Sequence, residues 1–171
     1  TSTEYKPEVL RAALWVADHL RGLGIENVEV MPTGGHPVVY GEWLKRHGAP
    51  TVLIYGHYDV QPPDPLDLWE TPPFEPVVRG EHLFGRGSSD MKGQVIATLS
   101  AIESALKTGQ MPVNVKFMIE GEEEIGSENL GNFIKANAKK LKADVCLNAD
   151  AGMIGAEYPT ITYGLRGLAY M

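Results

Sequence analysis

The sequence contains little cysteine and little positive charge, and each shortage excludes a class of protein. Cys146 is the only cysteine, so no internal disulfide can form, and we expect a reducing, cytoplasmic compartment. Lysine and arginine number 15 against 22 aspartate and glutamate residues, for a formal net charge of -7. Because binding to nucleic-acid phosphates requires a basic face, we expect no nucleic-acid partner.

The sequence also lacks a long apolar run. No segment approaches the length of a transmembrane helix, and residues 1–6 lack the apolar core of a secretory signal, so no membrane partner is expected. Hydrophobic residues make up 43% of the chain and charged residues 22%, which is typical of globular proteins. A chain of 171 residues with this composition is long enough to bury a core as one domain.

Apolar periodicity predicts three helices. The first runs from Pro7 to Leu20, and its apolar stripe consists of Leu10, Ala13, Leu14, Ala17 and Leu20. The second is capped by Ser89 or Asp90 and is closed by Gly109. The third begins near Ser127 and ends at about Lys140.

Strands are predicted between these helices, at residues 25–31, 37–44, 51–55, 113–119 and 143–148, with a short hairpin at 77–84. The continuous apolar run at 51–55 is typical of a central, buried strand. Cys146 lies in a similar run, so we expect a buried strand cysteine and not a nucleophile. The order of the elements predicts an α/β fold with a mixed, mostly parallel sheet flanked by helices.

Polar side chains collect directly after the predicted strands. His57 and Asp59 follow the strand at 51–55, Asp90 follows the hairpin, Glu123 and Glu124 follow residues 113–119, and Asp150 follows residues 143–148. Ligands of open α/β sheets bind outside the carboxyl ends of the strands. We therefore expect one histidine and a set of carboxylates to converge on a single rim of the sheet.

Carboxylates crowded on one rim repel each other unless a cation neutralises them. One imidazole with several oxygen ligands suits zinc, manganese or cobalt, and the excess of carboxylates favours two ions that share a bridging carboxylate. Taken singly, the residues have other interpretations. Residues 122–124 could form a solvated acidic turn, His57 could be a structural histidine, and Asp90 could be a helix cap.

Three segments of the chain resemble signature blocks of a known enzyme family. They are residues 56–60 (GHYDV), 85–93 (GRGSSDMKG) and 120–127 (EGEEEIGS). The family is that of the di-zinc metallopeptidases, which contains aminoacylase, carnosinase-type dipeptidases and glutamate carboxypeptidase. The resemblance covers roughly residues 10–171 and implies hydrolysis of the amide bond of a small peptide, by a water bridged between two zinc ions.

The resemblance also implies a role for each site residue. His57 and Asp150 would ligate the first zinc, Glu124 the second, and Asp90 both, with a cis peptide bond after Asp90. Asp59 would orient His57, and Glu123 would be the general base. In the family, aspartate at position 150 is associated with dipeptidases and aminopeptidases, whereas glutamate is associated with deacylases and carboxypeptidases. An N-acyl-amino-acid deacylase is the alternative. A non-catalytic metal-binding module is the alternative from another class.

The family differs from this chain in length. Its second zinc takes a histidine from near the end of a much longer chain, and its lid domain follows a strand that residues 163–168 resemble. We therefore expect residues 1–171 to be the N-terminal portion of the catalytic domain of a homodimeric parent, without the lid and dimerisation domain. The isolated chain is expected to hold one zinc well and the other weakly, and to be inactive.

Overall fold

The computed structural model describes residues 5–169, which form an α/β fold with a five-stranded sheet. The strands are β1 (Glu26–Met31), β2 (Val38–Trp43), β3 (Thr51–His57), β6 (Asn114–Glu120) and β7 (Val145–Asn148), in the order β1-β2-β6-β3-β7. Two short strands, β4 (Val77–Arg79) and β5 (His82–Phe84), form the predicted hairpin as a separate sheet. The helices are α1 (Lys6–Gly22), α2 (Lys92–Lys107), α3 (Leu130–Ala136) and α4 (Ala138–Leu141).

The sheet is mixed, and most of its strands run in one direction. The strands β6, β3 and β7 pair in parallel, whereas β2 pairs antiparallel with both β1 and β6. It follows that only β2 is reversed. The strand β3, predicted to be central, has a parallel partner on each side. The predicted fold class is therefore confirmed, and the carboxyl ends of β3, β6 and β7 meet at one edge of the sheet.

The two faces of the sheet bury separate clusters of apolar side chains. On one face, α1 and α2 pack on alternate strand residues such as Val39, Ile54 and Phe117. On the other face, α3 and α4 contribute Phe133 and Leu141, which pack on the intervening residues Val38, Tyr40 and Met118. Alternation along each strand therefore supplies both cores, as expected from the side-chain period of two.

The helix α1 forms where it was predicted but buries a different stripe. Ala13, Ala17 and Leu20 are buried as expected, whereas Leu10 and Leu14 are 43% and 47% exposed. The buried stripe is completed by Val9 and Val16, which also have helical spacing with Ala13 and Ala17. These valines place the alanines at the centre of the contact, where small side chains let the helix approach the sheet.

The helix predicted from Ser127 to about Lys140 is shorter and is interrupted. It is divided into α3 and α4 at Asn137, and it begins at Leu130, three residues after the predicted cap. Ser127 has a φ of +51°, a left-handed conformation that cannot belong to an α-helix. Its side chain bonds to Glu120 and not to the helix, which is why the predicted cap is wrong.

The last strand is more exposed than its sequence predicts. All four residues of β7 are exposed, including Cys146, for which a buried position was expected. The reason is that β7 pairs only with β3 among the described strands and so lies at the edge of the sheet. The strand expected at residues 163–168 is also absent, because nothing in the described part of the chain pairs with this exposed segment.

No helix within residues 5–169 combines the length and the apolar composition needed to cross a membrane.

A buried lysine joins the sheet to α4. Lys116 of β6 is 8% exposed, and its Nζ donates to the carbonyl oxygens of Lys140 and Lys142, at 2.6 and 2.8 Å. The final carbonyls of a helix have no partner within the helix, and they attract positive charge. Lys116 therefore anchors the end of α4 against the sheet.

We expect Lys116→Met to lower the free energy of unfolding by about 1–3 kcal/mol, because the carbonyl groups at the end of α4 lose a charged, buried donor. The measurement is reversible urea denaturation followed by circular dichroism. The matched control is Lys139→Met, at an exposed position of the same helix, with an expected change below about 0.5 kcal/mol. Equal destabilisation by the two variants would contradict the anchoring role.

Candidate metal centre

The carboxyl edge of the sheet brings the predicted polar residues together. His57 is the last residue of β3, and Asp150 follows β7 by two residues. Asp90 precedes α2, and its peptide bond to Met91 is cis, as the family resemblance implies. Glu123 lies in a 3-10 turn (Glu123–Ile125) that follows β6. The parallel pairing of β3 with both β6 and β7 is what places these groups at the same edge.

The imidazole of His57 is fully buried, and Asp59 contacts its Nδ1. Its Nδ1 lies 3.1 Å from the backbone oxygen of Asp59 and 3.3 Å from the Oδ1 of the same residue. Both of these atoms are acceptors, so they favour the tautomer in which Nδ1 carries the proton and donates it. When the ring is neutral, the other nitrogen, Nε2, therefore has a lone pair that faces the carboxyl groups at the rim.

Three side chains form a group of potential metal ligands around that nitrogen. The Nε2 of His57 lies 3.2 Å from the Oδ1 of Asp90 and 3.5 Å from the Oδ2 of Asp150. All three ligand atoms lie within 4.8 Å of one another. Tetrahedral zinc with bonds of about 2.0–2.2 Å separates its ligand atoms by about 3.3–3.6 Å. One nitrogen and two carboxyl oxygens at these spacings therefore fit a divalent cation.

The electrostatics of the rim favour a cation. Burial lowers the pKa of His57, but the hydrogen bond and charge of Asp59, with the charges of Glu123 and Asp150, raise it to about 9. Burial is also the largest cause that raises the pKa of Glu123, and the neighbouring acids Glu124, Asp150 and Asp59 add to it, although His57 opposes them. The acids thus create a strong negative potential around one imidazole.

The remaining predicted residues lie beside this group without being part of it. The Oε2 of Glu123 is 4.0 Å from the Nε2 of His57. The carboxyl group of Glu124 instead accepts a hydrogen bond of 2.8 Å from the Nε2 of Gln61, and its backbone N–H donates to the Oδ2 of Asp59 at 3.2 Å. Glu124 therefore lies outside the three-residue group and is held to residues 59–61.

Two buried glutamates beside the site were not singled out from the sequence. Glu120 is 2% exposed, and it accepts hydrogen bonds from Tyr55 and Ser127. Glu122 is 7% exposed and accepts from the backbone N–H of His36 and from the side chain of Asn129. Both lie in the acidic run of residues 120–124. Nothing in the local sequence pattern distinguishes a buried glutamate of this run from a solvated one.

A glycine in the loop between β1 and β2 reflects the position of Glu122. A Cβ at Gly35 would lie 1.7 Å from the Oε1 of Glu122, so any side chain there would displace the glutamate. The signal in the sequence was the Gly34-Gly35 pair, which permits a close backbone approach. The sequence does not indicate that Glu122 is the residue that approaches Gly35; the structure shows it.

The chain is similar to known proteins both in sequence and in fold. The profile of the peptidase family M20/M25/M40 matches residues 53–162, more than half of the chain. A Schizosaccharomyces pombe protein described as Cys-Gly metallodipeptidase dug1 is 38% identical over 179 residues, which cover 96% of this chain and 37% of that protein.

Two solved structures have the same fold. The dipeptidase Dug1p of Saccharomyces cerevisiae matches with a TM-score of 0.84 and 29% identity, over 95% of this chain and 37% of that one. The M20 family metallo-carboxypeptidase Sso-CP2 of Sulfolobus solfataricus matches with a TM-score of 0.78 and 43% identity, over 82% and 32%. The chain therefore spans between 32% and 37% of the length of these three relatives.

We expect the purified chain to bind one zinc ion tightly, because only three ligand atoms of the described residues form a compact group. Asp90→Ala should weaken this binding by at least about tenfold, since it removes one of the three ligands. The measurement is equilibrium dialysis against zinc. The control is Asp67→Ala, at an exposed position of the proline-rich loop of residues 61–76, which contains six prolines. Two tightly held zinc ions per chain would contradict this expectation.

Proposed function

The chain belongs to the peptidase family M20/M25/M40, and from this premise we propose that it forms the metal-binding part of a hydrolase that cleaves dipeptides. The observation that carries the proposal is the group of His57, Asp90 and Asp150, with Glu123 beside it. A metal-ligand group with an adjacent carboxyl group is one arrangement that can hydrolyse an amide bond, since the metal activates a water and the carboxyl group accepts its proton. The Cys-Gly metallodipeptidase that resembles this chain supports dipeptides as the substrate class.

We assign the ligands of two divalent ions as follows. His57 and Asp150 would hold the first ion, Glu124 would hold the second, and Asp90 would be a ligand of both. When bound, such ions polarise the carbonyl of the substrate and lower the pKa of an attacking water. Zinc suits the imidazole and carboxylate ligands, and manganese or cobalt would satisfy the same set.

The protein residues around the ions orient them and move the proton. Asp59 holds the Nδ1 of His57, which fixes the ring with its Nε2 towards the rim. Glu123 acts as the general base, taking a proton from the attacking water and returning it to the leaving amine. Burial and the neighbouring acids raise the pKa of Glu123, which favours a group that must hold this proton during the reaction.

A second substrate class is the alternative within the same family. An N-acyl-amino-acid deacylase would use the same ions and the same base. Its substrate would carry an acyl group, instead of an amino acid residue, on the carbonyl side of the amide bond. Asp150 supports the dipeptidase, because the family resemblance associates glutamate at this position with deacylases. The 43% identity to a metallo-carboxypeptidase keeps longer peptides among the substrates to be tested. A non-catalytic metal-binding module would need no base, and Glu123 beside His57 is the observation against it.

We expect the complete protein, loaded with zinc or manganese, to hydrolyse dipeptides in preference to N-acetyl amino acids. Glu123→Gln should lower kcat by at least about 100-fold, because the amide cannot accept the proton, and should leave zinc binding unchanged. The measurement is release of free amino acids from a panel of both substrate classes. Glu75→Gln, at an exposed glutamate of the proline-rich loop, is the control.

Preference for acylated amino acids would transfer the proposal to the deacylase. Full activity of Glu123→Gln would remove Glu123 from the role of base. Absence of turnover with every substrate would favour the non-catalytic module.

A further inference from the structure

Glu120 is a buried acidic residue for which the reaction proposed above has no use. It ends β6, and its Oε1 accepts hydrogen bonds from the hydroxyl groups of Tyr55, at 2.6 Å, and Ser127, at 2.9 Å. A carboxyl group removed from water costs free energy unless hydrogen bonds compensate it. The two hydroxyl groups therefore compensate the burial of the carboxyl group. Glu120 in turn fixes the positions of the Tyr55 and Ser127 side chains.

Ser127 closes the loop that carries the proposed base. Its backbone N–H donates to the oxygen of Glu122 at 2.8 Å, and the N–H of Gly126 donates to the oxygen of Glu123 at 2.9 Å. Gly126 and Ser127 both have left-handed backbones, with φ of +92° and +51°. Serine seldom adopts this conformation without support. The hydrogen bond from its side chain to Glu120 supplies that support.

Tyr55 connects the same network to the strand that carries the metal ligand. It lies on β3 two residues before His57, so both side chains belong to the same face of the sheet. Glu120 also pairs with His57 in the register of β3 and β6, and its backbone oxygen accepts the N–H of Tyr58 at 2.8 Å. The residue thus touches both the strand of His57 and the loop of Glu123.

We propose that Glu120 is a positioning residue that holds the loop at residues 121–127, and therefore Glu123, at its distance from His57. This inference rests on the proposed function only for the role of Glu123. The contacts that carry it are those of Glu120 with Tyr55 and Ser127. The oxygen of an amide can accept both of these hydrogen bonds, so the geometry requires an acceptor at this position and not a charge.

The test compares Glu120→Gln with Glu120→Ala in the complete, zinc-loaded protein. Glu120→Ala should lower kcat on the preferred dipeptide by about 10- to 100-fold, because displacement of a catalytic group by about 1 Å has an effect of this size. Glu120→Gln should restore kcat to within about threefold of the parent, since the acceptor oxygen returns. The KM and the zinc affinity should be unchanged in both.

A second readout does not depend on activity. The backbone amides of Gly126 and Ser127 should exchange with solvent at least about tenfold faster in Glu120→Ala, as measured by hydrogen–deuterium exchange. Ser127→Ala, which removes one of the two hydrogen bonds and keeps Glu120, covers the case that Glu120→Ala fails to fold. It should show the same acceleration. Glu128→Ala is the matched control, because Glu128 is exposed and has no hydrogen bond within residues 5–169.

The outcomes separate this inference from the proposed function. Parental kcat and parental amide exchange in Glu120→Ala and Ser127→Ala would overturn the positioning role. Equal loss of kcat in Glu120→Gln and Glu120→Ala would also overturn it, since it would show a need for charge. If the parent protein hydrolyses no substrate, the proposed function fails, and the exchange rates alone decide whether Glu120 holds the loop.

Discussion

Repulsion among carboxyl groups around one buried imidazole is the constraint on which the site depends. Asp90 and Asp150 lie within 3.5 Å of the Nε2 of His57, and Glu123 lies at 4.0 Å. Although burial lowers the pKa of His57, the hydrogen bond and charge of Asp59, with the charges of Glu123 and Asp150, raise it to about 9, which favours a second proton on the ring. A divalent cation at Nε2 replaces that proton and neutralises the acids with a larger charge. The arrangement is therefore costly to fold and well suited to bind metal.

The sheet is what makes the crowding possible. Three parallel strands end at one edge, and each delivers a polar side chain or loop to it. Buried hydrogen bonds beside the potential metal ligands hold the loops at this edge in place, although the acids repel each other. Asp59 holds His57, and Glu122 ties the loop between β1 and β2 to α3 through His36 and Asn129. The rigid scaffold thus withstands the repulsion that the acids create.

The α/β fold and the convergence of His57, Asp90 and Asp150 could be predicted from the sequence, because strand periods and strand ends are local signals. The stripe of α1 could not, since Leu10 and Val9 both have helical spacing and only packing decides between them. The exposure of Cys146 depends on what pairs with β7. The roles of the site residues, the cytoplasmic location and the homodimeric parent stay predictions.

The central claim is that His57, Asp90 and Asp150 bind one metal ion. The most direct measurement is an anomalous difference map at the zinc edge from crystals grown with zinc. We predict a strong peak within coordination distance of the Nε2 of His57 and of one carboxyl oxygen from each aspartate. A map with no peak at this position, or with zinc bound only elsewhere on the chain, would contradict the account.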